Sequence, residues 1–176
     1  TEIAFTLRDD VHFHDGSVLT AADVAFSINR IIDPKFASPQ RAQFGKIVKA
    51  AAMGDHEVTL TLKTSAPALL AALTNLSIVP EHVVEKVGNA AFNLQPVGSG
   101  PYRFVKWDKG VSVTLARNDS YWGEKGPFAA AVFRAVPDAS TRLADIQSGT
   151  VDLARALTSD QAAQLQASPN AKALPV

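Results

Sequence analysis

Cysteine is absent from the 176 residues of this chain, and neither sign of charge is in excess. Without a thiol, the chain can form no disulfide scaffold, no thiolate zinc site and no cysteine nucleophile. The 17 Lys and Arg residues balance 17 Asp and Glu residues, and no basic run breaks that balance, so no nucleic-acid partner is predicted. Long apolar runs are also missing, and a stretch such as residues 66–73 is too short to span a bilayer.

The chain does have the composition of a globular protein, with 47% hydrophobic and 19% charged residues, so we expect a buried core. Strands are predicted where apolar residues alternate with polar ones or where β-forming residues flank a turn. Val58, Leu60 and Leu62 show this alternation most clearly. The predicted strands are residues 3–8, 57–63, 101–107, 111–117, 130–136 and 151–153.

Helices are predicted where a capping residue precedes an apolar stripe, and they end at proline or glycine. Thr20 and Asp23 form a capping box with aspartate in place of glutamate. In the second helix, Leu69, Leu70 and Leu73 are expected on the buried face. The predicted helices, with their bounding residues, are Thr20 to Pro34, Ser65 to Leu73, Pro80 to Gly88, Pro137 to Gly149 and Thr158 to Pro169.

Strands and short helices are mixed without regular alternation, so the expected fold class is α+β with mixed sheets. The least structured connection, residues 89–100, divides the chain into a front part and a back part. We expect both ends to be the boundaries of a fragment, since Thr1 leads directly into a strand pattern and no signal peptide precedes it.

Residues 98–100, Gly-Ser-Gly, suggest two motifs, and neither is complete. A nucleophile elbow needs glycines two residues on either side of Ser99, where Val97 and Pro101 stand. A dinucleotide-binding fingerprint needs a third glycine at the position of Arg103. We therefore interpret these residues as a tight turn whose backbone passes close to another part of the chain.

Other groups that could carry chemistry are better explained by structural roles. His12, His14 and Asp15 are close in sequence and could hold a metal ion, but no established ligand spacing is present. Carboxylates show no spacing that brings two of them together for acid–base chemistry. Aromatic residues that could stack on a ligand or close a hairpin loop are Trp107, Tyr121 and Trp122. We predict no catalytic site, no metal site and no cofactor, and we interpret the chain as non-enzymatic.

Six sequence blocks carry a resemblance to a known family. The blocks are residues 5–30 (with Phe-His-Asp-Gly at 13–16), 58–67, 78–83, 96–102 (Pro-Val-Gly-Ser-Gly-Pro-Tyr), 115–123 and 137–153. Together and in this order, they resemble the family-five extracytoplasmic solute-binding proteins of ABC importers, the peptide/nickel-binding family. Departures from the family pattern, which bear on turn stability rather than on chemistry, are Asp10, Val18, Gly54, Ser99 and Asp119.

The resemblance implies a bilobal fold of the periplasmic-binding-protein type, class II, whose ligand lies in a cleft that closes by hinge motion. It implies that residues 1–97 form a small accessory lobe and that residues 98–176 form part of the large N-terminal lobe. The second ligand-binding lobe is then absent from the chain.

The resemblance also implies a substrate-binding component that captures di- or oligopeptides, or a nickel chelate, opine or oligosaccharide, and delivers the solute to permease subunits. The expected ligand-binding residues are Gln40, Phe44, Val97, Gly98, Ser99 and Gly100. Much of the peptide-binding constellation belongs to the absent lobe, so we expect the fragment to bind solute weakly or not at all.

On the same resemblance, we expect a bacterial monomer that is periplasmic or anchored outside the cytoplasmic membrane. Two alternatives stay open. One is a ligand-sensing domain of the same family in a transcription regulator. The other is a peripheral enzyme that uses His12, His14 and Asp15 with a metal ion.

Overall fold

A computed structural model describes residues 1–166, 168 and 171–174, and it shows the mixture of strands and short helices that the sequence predicts. The strands are β1 (Glu2–Thr6), β2 (Ile47–Ala52), β3 (Glu57–Leu62), β4 (Tyr102–Asp108), β5 (Ser112–Arg117) and β6 (Ala130–Arg134). The helices are α1 (Ala21–Ile32), α2 (Leu69–Leu73), α3 (Glu81–Phe92), α4 (Ala139–Gln147) and α5 (Ser159–Gln166), with a 3₁₀ helix at Arg41–Phe44. The α+β fold class is confirmed.

The chain divides into two compact units. The first unit contains Thr1–Trp107 and Thr114–Val132, and the second contains Asp108–Val113 and the described residues from Phe133 onward. The assignment of residues 1–97 to an accessory lobe and of residues 98–176 to a large lobe stays a prediction. Within the described residues, no helix has both the length and the apolar character of a membrane span.

β3 is the central strand of the first sheet, which is antiparallel with the order β1-β3-β2. Val58, Leu60 and Leu62 are 1%, 0% and 4% exposed, and they share one face because side chains alternate along a strand. In the neighbouring strand, Phe5 stands opposite Val58 and Ile3 opposite Leu60. The predicted strand is confirmed, and it lies at the centre of the core.

β2 is a strand that the sequence patterns do not predict. Its two buried residues, Ile47 and Ala50, are three positions apart rather than two or four. The pairing with β3 shifts between Ile47 and Lys49, as at a β-bulge. This shift removes the period-two pattern by which a half-buried strand is recognised.

α1 packs its apolar stripe against this sheet. The buried apolar residues of the stripe are Ala21, Ala25, Ile28 and Ile31. At the start of the helix, the Thr20 N–H and hydroxyl both donate to the Asp23 carboxylate at 2.9 Å, so the predicted capping box is confirmed. The other Asp23 oxygen accepts the Glu81 N–H at 2.9 Å, and this bond ties the start of α3 to the start of α1.

α2 differs from the prediction in its start and in its buried face. The helix begins at Leu69, after Ala68, so Ser65 is not its cap. Leu69 is 3% exposed and Leu73 is half-buried, whereas Leu70 is 56% exposed. Positions i and i+4 share a helix face while position i+1 lies about 100° away, so the predicted burial of Leu70 is wrong.

The predicted helix end at Gly88 is confirmed, and one further prediction needs correction. Gly88 has a φ of 78° and a ψ of 161°, so it ends the helical segment that begins at Glu81, and a second short helical segment within α3 follows it. Residues 151–153 form no strand. The N–H groups of Thr150 and Val151 instead donate to the Asp145 carbonyl, at 2.9 and 3.3 Å, and complete the end of α4.

The second sheet has the order β4-β5-β6 and contains the predicted hairpin. Asp138 caps α4 by accepting the Thr141 N–H at 2.7 Å. At α5, the Thr158 N–H donates to Gln161 Oε1 at 3.0 Å, and the Gln161 N–H donates to Thr158 Oγ1 at 3.3 Å. Both predicted helix starts are confirmed, whereas Pro169, the predicted end of α5, lies outside the described residues.

The variant Asp23→Ala is expected to lower the free energy of unfolding by about 2 kcal/mol. The reason is that it removes hydrogen bonds to a charged group and leaves the N–H groups of Thr20 and Glu81 without this acceptor. Urea denaturation checks the value. The control Asp9→Ala removes an exposed carboxylate and should change stability by less than about 0.5 kcal/mol. Equal losses in the two variants would contradict the role given to Asp23.

Candidate functional site

The Gly-Ser-Gly turn is held by His14, a residue more than 80 positions earlier in the chain. The His14 N–H donates to the Gly98 carbonyl at 2.8 Å, and the Gly98 N–H donates to His14 Nδ1 at 3.3 Å. His14 Nε2 lies 3.0 Å from the Gly100 carbonyl. Because Nδ1 accepts, the arrangement assigns the ring proton to Nε2, which then donates to Gly100.

Asn118 holds the same turn from its other end. Its Nδ2 donates to the Gly100 carbonyl at 3.1 Å, and its backbone N–H donates to the Pro101 carbonyl at 2.8 Å. Its Oδ1 accepts the Ser120 N–H at 3.1 Å, so both the nitrogen and the oxygen of this buried amide are hydrogen-bonded. The sequence analysis missed Asn118 as a site residue, and only its place in the fifth family block drew attention to it.

The six predicted ligand-binding residues fall into two places. Val97 packs against two buried clusters, one around Phe13 and the other around Val84, and so anchors the turn. Ser99 lines a cavity next to the turn. Phe44 is 0% exposed within the main core, and Gln40 is half-buried near it in sequence. Neither lines that cavity.

The cavity has a volume of 410 Å³ and lies in the first unit. One part of its lining belongs to the main core, among it Val58 and Leu60, and another part belongs to the cluster of Val11 and Leu19. The lining is Phe5, Thr6, Leu7, Arg8, Val11, Leu19, Val24, Ile28, Val58, Leu60, Leu73, Leu76, Ile78, Ser99 and Trp122. Almost every side chain is apolar, so the cavity suits an apolar group.

Arg8 and Trp122 are two exposed residues of the lining that contact each other. The Arg8 Cζ lies 4.7 Å from the centroid of the Trp122 ring, a cation–π distance. Arg8 also donates to both carboxylate oxygens of Asp10, at 2.8 and 2.7 Å. Hydrogen bonding within this pair raises the pKa of Arg8 and lowers the pKa of Asp10. The guanidinium therefore stacks on the ring and forms an ion pair with Asp10.

A second, more polar cavity of 520 Å³ lies beside the end of α1 and is also lined by residues of α3. Its Arg30 donates from Nε and Nη2 to Asn89 Oδ1, at 3.0 and 2.8 Å, and stacks 4.0 Å from the centroid of the Phe36 ring. Burial lowers the pKa of Arg30. The negative end of a helix dipole favours a cation here, so Arg30 has a structural role rather than that of an anion receptor.

The histidine cluster does not assemble as a metal site. Both ring nitrogens of His14 bond to the turn, and Asp15 instead faces His82, whose Nε2 lies 3.1 Å from Asp15 Oδ2. In the part of the chain that the structure describes, no three His, Asp or Glu side chains lie where they could hold a metal ion. The geometry favours the structural interpretation of these residues.

The variant His14→Phe is expected to lower the free energy of unfolding by about 1–2 kcal/mol, because the turn loses its side-chain partner. Amide hydrogen exchange at Gly98 should become faster, since its N–H loses its acceptor. The control His12→Phe changes an exposed ring and should leave both quantities unchanged. Unaltered exchange at Gly98 in His14→Phe would contradict this account of the turn.

Comparison with known proteins identifies the family. The model of the bacterial extracellular solute-binding proteins, family 5, middle region, matches residues 1–174. Protein XP55 of Streptomyces lividans is 37% identical over 153 residues, which are 85% of this chain and 28% of that protein. The probable D,D-dipeptide-binding periplasmic protein DdpA of Escherichia coli K12 is 32% identical over 168 residues, which are 91% of this chain and 32% of that protein.

A solved structure gives the same result at the level of the fold. The binding protein MoaA from A. tumefaciens R10, in complex with mannopinic acid, matches with a TM-score of 0.89 and 31% identity. The match covers 96% of this chain and 35% of MoaA, so the chain spans about a third of the length of such relatives. The family consists of solute-binding proteins rather than enzymes, in agreement with the non-enzymatic interpretation of the sequence. The chain belongs to the bacterial extracellular solute-binding proteins, family 5.

Proposed function

We propose that this chain is part of the substrate-binding component of a bacterial ABC importer, which captures di- or oligopeptides outside the cytoplasmic membrane and delivers them to permease subunits. The observation that carries the proposal is the family match over residues 1–174. The peptide solute is supported by the name of DdpA, a probable D,D-dipeptide-binding protein at 32% identity. The mannopinic acid complex of MoaA supports an opine as the second candidate.

Within the chain, we propose that the turn at residues 97–100 borders the solute. Ser99 is its best-supported contact, because it lines the apolar cavity together with Trp122. Gln40 is half-buried and stays a candidate contact. Phe44 is enclosed in the core, so its proposed contribution is indirect, through anchoring the 3₁₀ helix Arg41–Phe44.

We further propose that the 176-residue chain by itself binds peptides weakly or not at all. An extended peptide is held by backbone hydrogen bonds and by charged groups at its ends, and a closing cleft supplies these from two sides. The chain has about a third of the length of its relatives. In calorimetry, short peptides should show no binding of millimolar strength or better, and an observed millimolar affinity would refute this proposal.

The function is tested by a thermal-shift screen of the complete protein against di- and oligopeptides, mannopinic acid, a nickel–histidine complex and oligosaccharides. A ligand that binds only the folded state at 100 times its Kd stabilises that state by about 2.7 kcal/mol and so raises the Tm. We expect the peptides to raise the Tm. A rise with mannopinic acid or the nickel complex alone would contradict the peptide proposal.

The matched control for this screen is the same set of peptides with acetylated and amidated ends. Charged groups at the peptide ends are expected to bind complementary side chains, so capping them should reduce the shift in Tm. An equal shift with free and capped peptides would show that the ends are not recognised.

A further inference from the structure

Asp15-Gly16 is the one position in the 176 residues where an aspartate or an asparagine precedes a glycine. Glycine has no side chain to hinder the approach of its backbone nitrogen to the carboxyl group of the aspartate before it. We propose that Asp15-Gly16 is a site of isoaspartate formation, and that Ser17 and His82 keep the aspartate unreactive in the folded protein. This modification is independent of the solute that the protein binds.

Isoaspartate formation is an intramolecular rearrangement that needs only water as a co-reactant. The Gly16 nitrogen forms a bond to Asp15 Cγ and loses its proton, and a carboxyl oxygen leaves as water, so a cyclic succinimide results. A second water molecule then opens the ring. Cleavage of the Cγ–N bond restores aspartate, whereas cleavage at the backbone carbonyl carbon leaves the chain running through Cβ and Cγ. The Asp15 side chain is 30% exposed, so water reaches the ring.

The Asp15 carboxylate is held at both of its oxygens. Oδ1 accepts the Ser17 N–H at 3.0 Å and the Ser17 hydroxyl at 2.7 Å. Oδ2 lies 3.1 Å from Nε2 of His82, a residue of α3. Succinimide formation breaks these contacts, because one carboxyl oxygen leaves and Cγ turns towards the Gly16 nitrogen. The loss of hydrogen bonds to a charged group therefore adds to the barrier of the reaction in the folded protein.

The attacking nitrogen of Gly16 is held as well. Its N–H donates to the Phe13 carbonyl at 2.9 Å, and the Phe13 N–H donates to the Ser17 carbonyl at 2.8 Å. Phe13 is 3% exposed and packs with Val11 and Leu19, so this small turn is anchored in a buried cluster. A hydrogen-bonded N–H gives up its proton only after local opening, which again slows the reaction.

The charge of the Asp15 carboxyl group works in the same direction. The oxygen leaves as water from the neutral carboxyl group, whereas the ionised carboxylate is a poor acceptor for the nitrogen. Burial raises the pKa of Asp15, but the hydrogen bonds from Ser17 and His82 lower it more, so the pKa lies below its ordinary value. The reactive neutral form is therefore scarcer than in the unfolded chain.

Isoaspartate at residue 15 would also disturb the turn at residues 98–100. It lengthens the backbone by one carbon atom directly after His14. The His14 N–H and ring bind the backbone of Gly98, and the ring also binds the Gly100 carbonyl. The protection of Asp15 therefore preserves the geometry of the Gly-Ser-Gly turn.

The rate of isoaspartate formation can be measured by incubating the complete protein at neutral pH and digesting samples with trypsin. Cleavage after Arg8 and Arg30 releases residues 9–30 as one peptide, because no Lys or Arg lies between them. Isoaspartate has the mass of aspartate, and chromatography followed by electron-transfer fragmentation distinguishes the two and locates residue 15. The same peptide, isolated and incubated alone, is the unfolded reference.

We expect isoaspartate at residue 15 to accumulate in the free peptide and to form about tenfold more slowly, or slower still, in the folded protein. This comparison needs no variant, so it does not depend on how a substitution affects folding. Equal rates in the peptide and the folded protein would overturn the proposed protection. A free peptide that forms no isoaspartate at residue 15 would overturn the site itself.

A pair of histidine variants tests the role given to His82. His82→Ala removes the partner of Asp15 Oδ2 and should accelerate isoaspartate formation in the folded protein about threefold or more. The control His56→Ala removes another exposed histidine, in the connection between β2 and β3, and should leave the rate unchanged. Urea denaturation verifies that both variants are folded. The same rate in His82→Ala and in the unaltered protein would contradict the protection by His82.

Discussion

The packing of α1 against the central strand β3 is the constraint on which the rest of the first unit depends. Ile28 on the helix and Val58 and Leu60 on the strand are almost fully buried, and burial of each such side chain contributes about 1.5–3 kcal/mol. These same three residues form part of the cavity wall. A change that loosens this packing therefore alters the candidate site as well as the stability of the unit.

Two polar side chains, the buried Asp23 and the half-buried His14, connect this core to segments that are distant in sequence. Asp23 joins the start of α1 to the start of α3, and His14 joins the early part of the chain to the turn at residues 98–100. Both depend on complete sets of partners, because a buried polar atom that loses its partner costs free energy. Through His14, the turn that contains Ser99 is held next to the cavity that Ser99 lines.

The sequence correctly predicts those helices and strands whose capping residues or apolar alternation match the way they pack in the structure. The alternation of Val58, Leu60 and Leu62, the capping box at Thr20 and the helix start at Asp138 all describe short-range geometry, and the structure has each of them. β2 is not predicted, because a register shift next to Ile47 removes the alternation of buried and exposed residues along the strand. The predicted strand at residues 151–153 is wrong, because the Val151 N–H donates to the Asp145 carbonyl at the end of α4 instead of pairing with a strand.

The candidate site is less predictable from the sequence than the fold, because its residues come together only through tertiary contacts. The Gly-Ser-Gly turn can be recognised in the sequence, but its partner His14 lies 84 positions earlier, and only folding brings the two together. The cavity is formed by side chains from both ends of the first unit, from Phe5 to Trp122, and no local pattern encodes such a space. Family blocks identify the turn, whereas the lining residues follow from three-dimensional packing.

The most direct test of the account is a crystal structure of the complete protein with Ala-Phe-Ala bound. The account predicts that the peptide lies beside the turn at residues 97–100, with its backbone next to Ser99. A peptide bound away from this turn would contradict the account.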